Sequence, residues 1–385
     1  MVTIAAPRVV TPGGLLHDGV VEVVDGRITG VRPLSAAGAD VVLDSGVLLP
    51  GLVDLQVNGC FGTDFVDASE RQWDELTTAL PATGVTSLLP TFITAPVPHL
   101  AAALRRTAAL LPRLPARPRA RVLGVHVEGP FLAANRRGAH DPAHLCDPEP
   151  AAVEALLEAG GDLLALVTLA PERPGGLDAV RRLASAGVLV SLGHTDATAE
   201  QVEAAAGAGA RKVTHLFNAQ RPLHHREPGV VGQALADERL TLGLILDLHH
   251  VAAASCRVAF AAAPGRIALV TDAAAPAGMP PGRYRLGGEA VILEDGRPPL
   301  REDGTLAGSV LRLDEAVANA VGIGVDLVTA VDAATRVPAD LIGRPDLGRI
   351  APGAVADLVW MDDGLRTRAT WVGGEPAFAA QPVTS

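Results

Sequence analysis

Glu128, His194 and His215 offer one carboxylate and two imidazoles from three separate stretches of a 385-residue chain. That is the donor set of a catalytic zinc-type centre, which takes three protein ligands and keeps a further position for water. Divalent iron, cobalt or manganese suit the same donors. Each residue sits at the end of an apolar run: RVLGVHVE, VLVSLGH and KVTHLFN. Taken singly they read as a buried glutamate, a loop histidine and a core histidine. They become a metal centre only if the fold brings the run ends together. Asp272 closes a fourth run, IALVTD, where a carboxylate is unfavourable unless partnered. Beside activated water it suits a general base that later acts as general acid; its other reading is a cap on the turn DAAAPAG. His140, in RRGAHDP, suits polarisation of a carbonyl oxygen, or is a surface loop histidine. Arg226, in the donor-rich loop NAQRPLHHREPG, has the planar fork that grips phosphate oxygens in pairs, or is simply solvated. His249 and His250 end another run, one facing the mouth of the fold and the other its outer layer.

Positioning such residues needs strand ends that meet. Eight strand-like runs (52–57, 86–92, 121–128, 163–170, 188–194, 212–218, 240–246 and 267–272) alternate with helical stretches such as PAAVEALLEAG and TAEQVEAAAGAG. The helical stretches end near glycine, as a helix C-terminus does. Eight such units predict an α/β fold, a closed parallel (β/α)8 barrel whose active site lies at the C-terminal ends of the strands. An open doubly wound sheet alternates too, but no G-x-G-x-x-G follows the first strand. His126 and Glu128 are two apart and share a strand face. The 21 residues from His194 to His215 make about one strand-plus-helix unit, which predicts adjacent strand ends. Residues 279–305 read as an insertion with its own hairpin after the eighth strand. Both chain ends read as β-structure, with Asp25-Gly26 as a hairpin turn.

Composition narrows the partners. A net charge of −11 and a sequence pI near 5.5 argue against nucleic acid. No run is long and apolar enough to span a membrane, and the N-terminus lacks the features of a signal peptide. Three dispersed cysteines give neither a disulfide framework nor a thiolate zinc site. The expectation is a cytoplasmic protein with reduced thiols. Nine of eleven histidines lie between His126 and His250, and Lys212 is the single lysine. The stretch LLPRLPARPRAR (110–121) reads as a flexible linker; as a nucleic-acid arm it lacks aromatic residues.

The motifs LPGLVDLQVNG, HVEGPFL, GHTDAT, THLFNAQ, REPG, LVTDA and GTLAGS, in this order, resemble those of the N-acetylglucosamine-6-phosphate deacetylases, a family of the amidohydrolase superfamily. The resemblance spans nearly the whole chain. It implies a TIM-type barrel over 49–345 with a small β-sandwich built from residues 1–48 and 346–385. It implies hydrolysis of the acetamide of N-acetylglucosamine 6-phosphate to glucosamine 6-phosphate and acetate. Alternatives are another N-acetylated amino-sugar phosphate, such as N-acetylgalactosamine 6-phosphate, and a non-catalytic sugar-phosphate sensor. By motif, Glu128, His194 and His215 hold one divalent metal per subunit, zinc first, and Asp272 and His140 are catalytic. The same matching gives Ala139, His140, Asn218 and Ala219 to substrate, Arg226 and His250 to phosphate, and Leu306, Ala307 and Gly308 to the acetyl side. A homodimer is implied as well. Where many amidohydrolases carry H-x-H for a second metal, this chain has Gln56 and Asn58. Lys212, three residues before His215, is expected on the opposite strand face and so unable to bridge two metals. Gln220 and His249 depart from the common pattern, which places them as modifiers of substrate preference.

Overall fold

Eight parallel strands follow one another round a ring in chain order, in a computed structural model that describes residues 1–34, 39–287 and 289–380. They are β1 (Leu52–Val57), β2 (Val85–Ile93), β3 (Val125–Glu128), β4 (Leu164–Leu169), β5 (Leu189–Leu192), β6 (Ala210–Val213), β7 (Thr241–Leu244) and β8 (Ile267–Leu269). Each pairs with the next. A Val57–Ala273 bridge and the Asp272 amide donating to the Gln56 carbonyl at 2.9 Å close the ring. The fold is the expected α/β TIM-type barrel. Strands covered on both faces tolerate no polar alternation, and all nine residues of β2 are buried.

The connecting helices are cut from amphipathic sequence and capped locally. Ser69 and Gln72 form a capping box on Glu70–Ala79, and Thr198 and Gln201 do so on Ala199–Ala208. In Gly176–Ser185, Ala179, Val180 and Leu183 are buried, a spacing of one helical stripe against the barrel.

Strands from both ends of the chain share one eight-stranded sheet. Val47–Pro50 is its hinge in sequence, pairing with Val2–Thr11 on one side and Leu358–Met361 on the other. The sheet encloses its own apolar cluster, which includes Ile4, Val21, Ile28, Leu48, Leu358 and Trp371. Asp25 and Gly26 turn the expected hairpin with φ of 49° and 73°.

The 279–305 insertion forms the strands Gly282–Leu286, Glu289–Leu293 and Leu300–Arg301. Leu286 and Val291 pack with Ile93, Ala274 and Ala307, which seats the insertion on the barrel mouth. Arg301 ties it down, donating to the Ala139 carbonyl at 3.3 Å and pairing with Glu289 at 3.0 Å. The arginine-rich 110–121 stretch is docked rather than free. Arg117 and Arg119 pair with Asp74 at 2.9 and 2.8 Å, and Arg121 with Asp357 at 2.8 Å. Among the described residues no helix is long and apolar enough to cross a membrane.

Candidate active site

Glu128, His194 and His215 leave β3, β5 and β6 at the same end of the barrel and are all buried. The Nε2 atoms of the two histidines are 3.1 Å apart, and Glu128 Oε1 lies 3.1 Å from His215 Nε2 and 3.4 Å from His194 Nε2. Three donors on one tetrahedral ion with bonds of ~2.0–2.1 Å would be separated by about 3.3 Å. The spacing therefore fits a single small divalent cation. His194 Nδ1 faces the Arg136 carbonyl at 2.9 Å. That bond places the ring proton on Nδ1 and leaves the Nε2 lone pair to the centre, as metal-binding histidines require. Burial works to raise the Glu128 carboxyl, but hydrogen bonds and charge from His194 and His215 outweigh it and hold it well below the usual range. The same carboxylate draws positive charge to this spot, raising His194 against its burial.

Left-handed backbone aims these side chains inward. His194, His215 and Asp272 have φ of 48°, 29° and 50°. Such conformations cost on the order of 1–3 kcal/mol each and persist only where neighbours over-determine them. For His215 the neighbours are identifiable. The Leu216 amide donates to the Gly243 carbonyl at 2.7 Å, and Gln220 clamps the turn through Phe217 N at 3.0 Å and the Thr214 carbonyl at 2.7 Å. Gln220 thus faces its own backbone rather than the pocket.

Asp272 stands beside the cluster, raised by burial first and by the Glu128 charge second. Asn58 Nδ2 donates to its Oδ1 at 2.7 Å and Gln56 Nε2 at 3.1 Å. Gln56 Nε2 also reaches both oxygens of Glu128, at 3.2 and 3.3 Å. The two amides therefore present donors to the carboxylates and hold Oδ1, leaving Oδ2, which no described residue hydrogen-bonds. Asn58→Ala removes a bond that favours the ionised carboxylate. We expect Asp272 to rise further, so the acidic limb of the pH–rate profile should move to higher pH, with turnover at pH 7 reduced about tenfold. An unmoved limb would show that Asn58 does not hold Asp272.

His140 packs against His194 with ring centroids 4.3 Å apart. Burial, then the neighbouring His194, pushes its ring down to about 3, so it is neutral at working pH. Nδ1 lies 2.7 Å from the Thr94 hydroxyl and accepts from the Thr94 amide at 3.4 Å, an acceptor role that leaves the ring proton to Nε2, 4.0 Å from Glu128 Oε2. His140 is thus a neutral N–H donor aimed at the centre. Around these groups lies a cavity of about 440 Å³, within the usual range for small-ligand sites. Ala139, Asn218, Ala219, His250, Leu306 and Gly308 line it. Ala307 is buried behind, in the cluster under the insertion. His250 Nδ1 bonds Asp247 Oδ2 at 2.6 Å, which fixes the ring and leaves Nε2 available. His249 faces a neighbouring cavity instead.

Other residues singled out in the sequence lie away from the cavity or in other surroundings. Arg226 is exposed on its loop and does not line the cavity. Lys212 is not turned away: it is wholly buried and interacts electrostatically with Glu128, Asp272 and Asp54. Counting alternate faces from His215 failed because β6 ends at Val213 and the left-handed turn resets the alternation. His126 shares the strand face of Glu128 as expected, but its ring is satisfied by Thr91 at 3.2 Å and Thr168 at 2.7 Å. Asn135, Arg136, Ile245, Leu286 and Thr305 also line the cavity. Only Leu286 and Thr305 carried a signal, through the insertion expected after strand eight.

Residues 47–384 match the sequence profile of the amidohydrolase family. The chain is 39% identical over 374 residues to the N-acetylgalactosamine-6-phosphate deacetylase of Escherichia coli O157:H7, covering 97% of this chain and 98% of that one. It is 38% identical over 355 residues to the N-acetylglucosamine-6-phosphate deacetylase of Bos taurus, covering 88% and 85%. The crystal structure of N-acetyl-D-glucosamine-6-phosphate deacetylase from Mycobacterium smegmatis superposes with a TM-score of 0.92 at 34% identity, covering 98% of this chain and 100% of that one.

Proposed function

The chain belongs to the amidohydrolase family, and on that premise we propose that it hydrolyses the acetamide of N-acetylglucosamine 6-phosphate, releasing acetate and glucosamine 6-phosphate. That it is a hydrolase of amide bonds follows from its relatives and its fold. The observation that carries the finer reading is the meeting of His194 Nε2, His215 Nε2 and Glu128 Oε1 within 3.4 Å beside Asp272.

Glu128, His194 and His215 would hold one divalent ion. When bound, such an ion supplies Lewis-acid charge that acidifies water from ~15.7 toward ~7. Asp272 Oδ2 accepts the proton of the water that attacks the acetyl carbon. The His140 Nε2–H donates to the acetyl oxygen as charge builds on it. Asp272 then returns its proton to the departing nitrogen, so the C–N bond breaks to a free amine and acetate. Asn58 and Gln56 keep Asp272 aimed throughout. Asn218 and Ala219 contact the sugar, while Ala139, Leu306, Ala307 and Gly308 shape the acetyl side. His250 and Arg226 take the phosphate. Remote binding of that group positions the amide for attack. The exposure of Arg226 suits a contact made across a homodimer, where it would serve the partner's cavity.

The direct test is acetate release from N-acetylglucosamine 6-phosphate, its galactosamine epimer and unphosphorylated N-acetylglucosamine. We expect the first to be preferred; preference for the epimer would transfer the assignment to that sugar, and no release from any would remove it. Arg226→Ala should lower kcat/KM about tenfold or more on the phosphorylated sugar alone, the scale of a lost charge-assisted contact. Equal losses on both glucosamine substrates would end the phosphate assignment.

A further inference from the structure

Lys212, the single lysine of the chain, is wholly buried in the barrel and the proposed reaction makes no use of it. Its Nζ has no hydrogen-bond partner among the described residues. Burial of an ammonium without partners is strongly unfavourable unless charge nearby compensates it. The polar groups around it satisfy one another: Thr168 bonds Thr214 at 2.8 Å, Ser191 bonds Thr214 at 2.5 Å and His126 bonds Thr168. The fold nevertheless makes room for the ammonium. Gly243, on the adjacent β7, lacks the Cβ that would lie 3.1 Å from Nζ.

Among the described residues Nζ makes no direct ion pair, so the charge that compensates it acts at longer range. Glu128, Asp272 and Asp54 are the three groups that favour the charged lysine, in that order. All three are buried. Asp54 accepts Thr271 Oγ1 at 2.6 Å and the Gln56 amide at 3.2 Å, bracing the strand ends that carry Gln56 and Asp272. Burial pushes Asp54 up to about 7, so it is only partly ionised at pH 7, and the negative charge the ammonium offsets in this low-dielectric interior is chiefly that of Glu128. Burial pushes Lys212 down only to about 8, which leaves it charged at pH 7.

We propose that Lys212 is a built-in counter-cation of the metal centre, a positioning residue that supports the carboxylates Glu128, Asp272 and Asp54 before metal arrives and repels the ion once it is there. This rests on the metal reading given above. The test is Lys212→Met, which keeps the length and removes the charge. Zinc affinity at pH 7 is measured by competition with a chromophoric chelator, and melting temperature with and without zinc. We expect the metal-free variant to melt below wild type while binding zinc at least tenfold more tightly. A residue that merely fills space would leave both unchanged, since methionine keeps its length. Unchanged or weaker zinc binding by the variant, with wild type binding normally, overturns the proposal. Failure of wild type to bind zinc overturns the metal reading itself. Should the variant not fold, 15N-lysine labelling of wild type gives one side-chain signal, because there is one lysine. An ammonium signal at pH 7 that moves on zinc addition supports the role; a neutral amine signal overturns it.

Discussion

Asp272→Asn should lower turnover on N-acetylglucosamine 6-phosphate by about 10²-fold or more, the scale of general acid–base catalysis, with metal content and melting temperature close to wild type. The substitution is conservative where structure is concerned. An asparagine Oδ1 still accepts from Asn58 and Gln56, the bonds that now stand at 2.7 and 3.1 Å. What changes is the other atom: an amide Nδ2 donates where Oδ2 accepted, so no proton can be taken from water or returned to nitrogen. The pH profile separates this from a binding defect. Burial and then the Glu128 charge lift the Asp272 carboxyl above its ordinary value. A base works only when ionised, so wild-type turnover should fall as pH drops through that raised value, with the limb lying above the usual carboxylate range near ~3.9. The variant should lose that limb along with the rate. Turnover within threefold of wild type would remove Asp272 from the reaction.

The barrel was legible because buried parallel strands leave continuous apolar runs, and each run here was followed by a helical stretch. The chemistry-bearing residues were legible for a related reason. A polar residue ending an apolar run, such as Asp272 after IALVT, is unfavourable in the core unless something answers it. What the sequence hid is the backbone at those ends. His194, His215 and Asp272 adopt positive φ without being glycine, and the preference of Asp and His for that region is too weak to announce the turn. Face-counting along the strand consequently put Lys212 on the wrong side. Side chains that act through their backbone were hidden too: the Arg136 carbonyl orients His194, and any residue type supplies a carbonyl. Gln220 carried a signal that was misassigned. It departs from the family pattern, but its amide serves the His215 turn rather than the ligand. Arg226 suits phosphate by its type, but type does not say that its loop carries it away from this chain's own cavity.

Metal removal and Glu128→Gln should each reduce acetate release more than about 10³-fold, and they should differ in reversibility. Glu128 is the only carboxylate in the cluster of three donors. The two imidazole nitrogens lie 3.1 Å apart, and the charge of Glu128 is what draws a cation to the point where their lone pairs would converge. Glutamine keeps the shape and removes the charge. One of its amide atoms would also turn an N–H toward a centre that needs acceptors. Wild-type protein stripped by chelator should regain activity when zinc, manganese or ferrous iron is restored, and the metal giving full recovery at the lowest concentration identifies the preferred ion. The variant should recover nothing, and elemental analysis should find it essentially metal-free. Stability gives a second readout that does not depend on catalysis. An ion bound only by the folded state stabilises it by about 4 kcal/mol at a thousandfold excess over Kd, so added zinc should raise the wild-type melting temperature by several degrees and leave the variant unmoved. Full metal content in Glu128→Gln, with more than a tenth of wild-type turnover, would mean that this carboxylate is not a ligand.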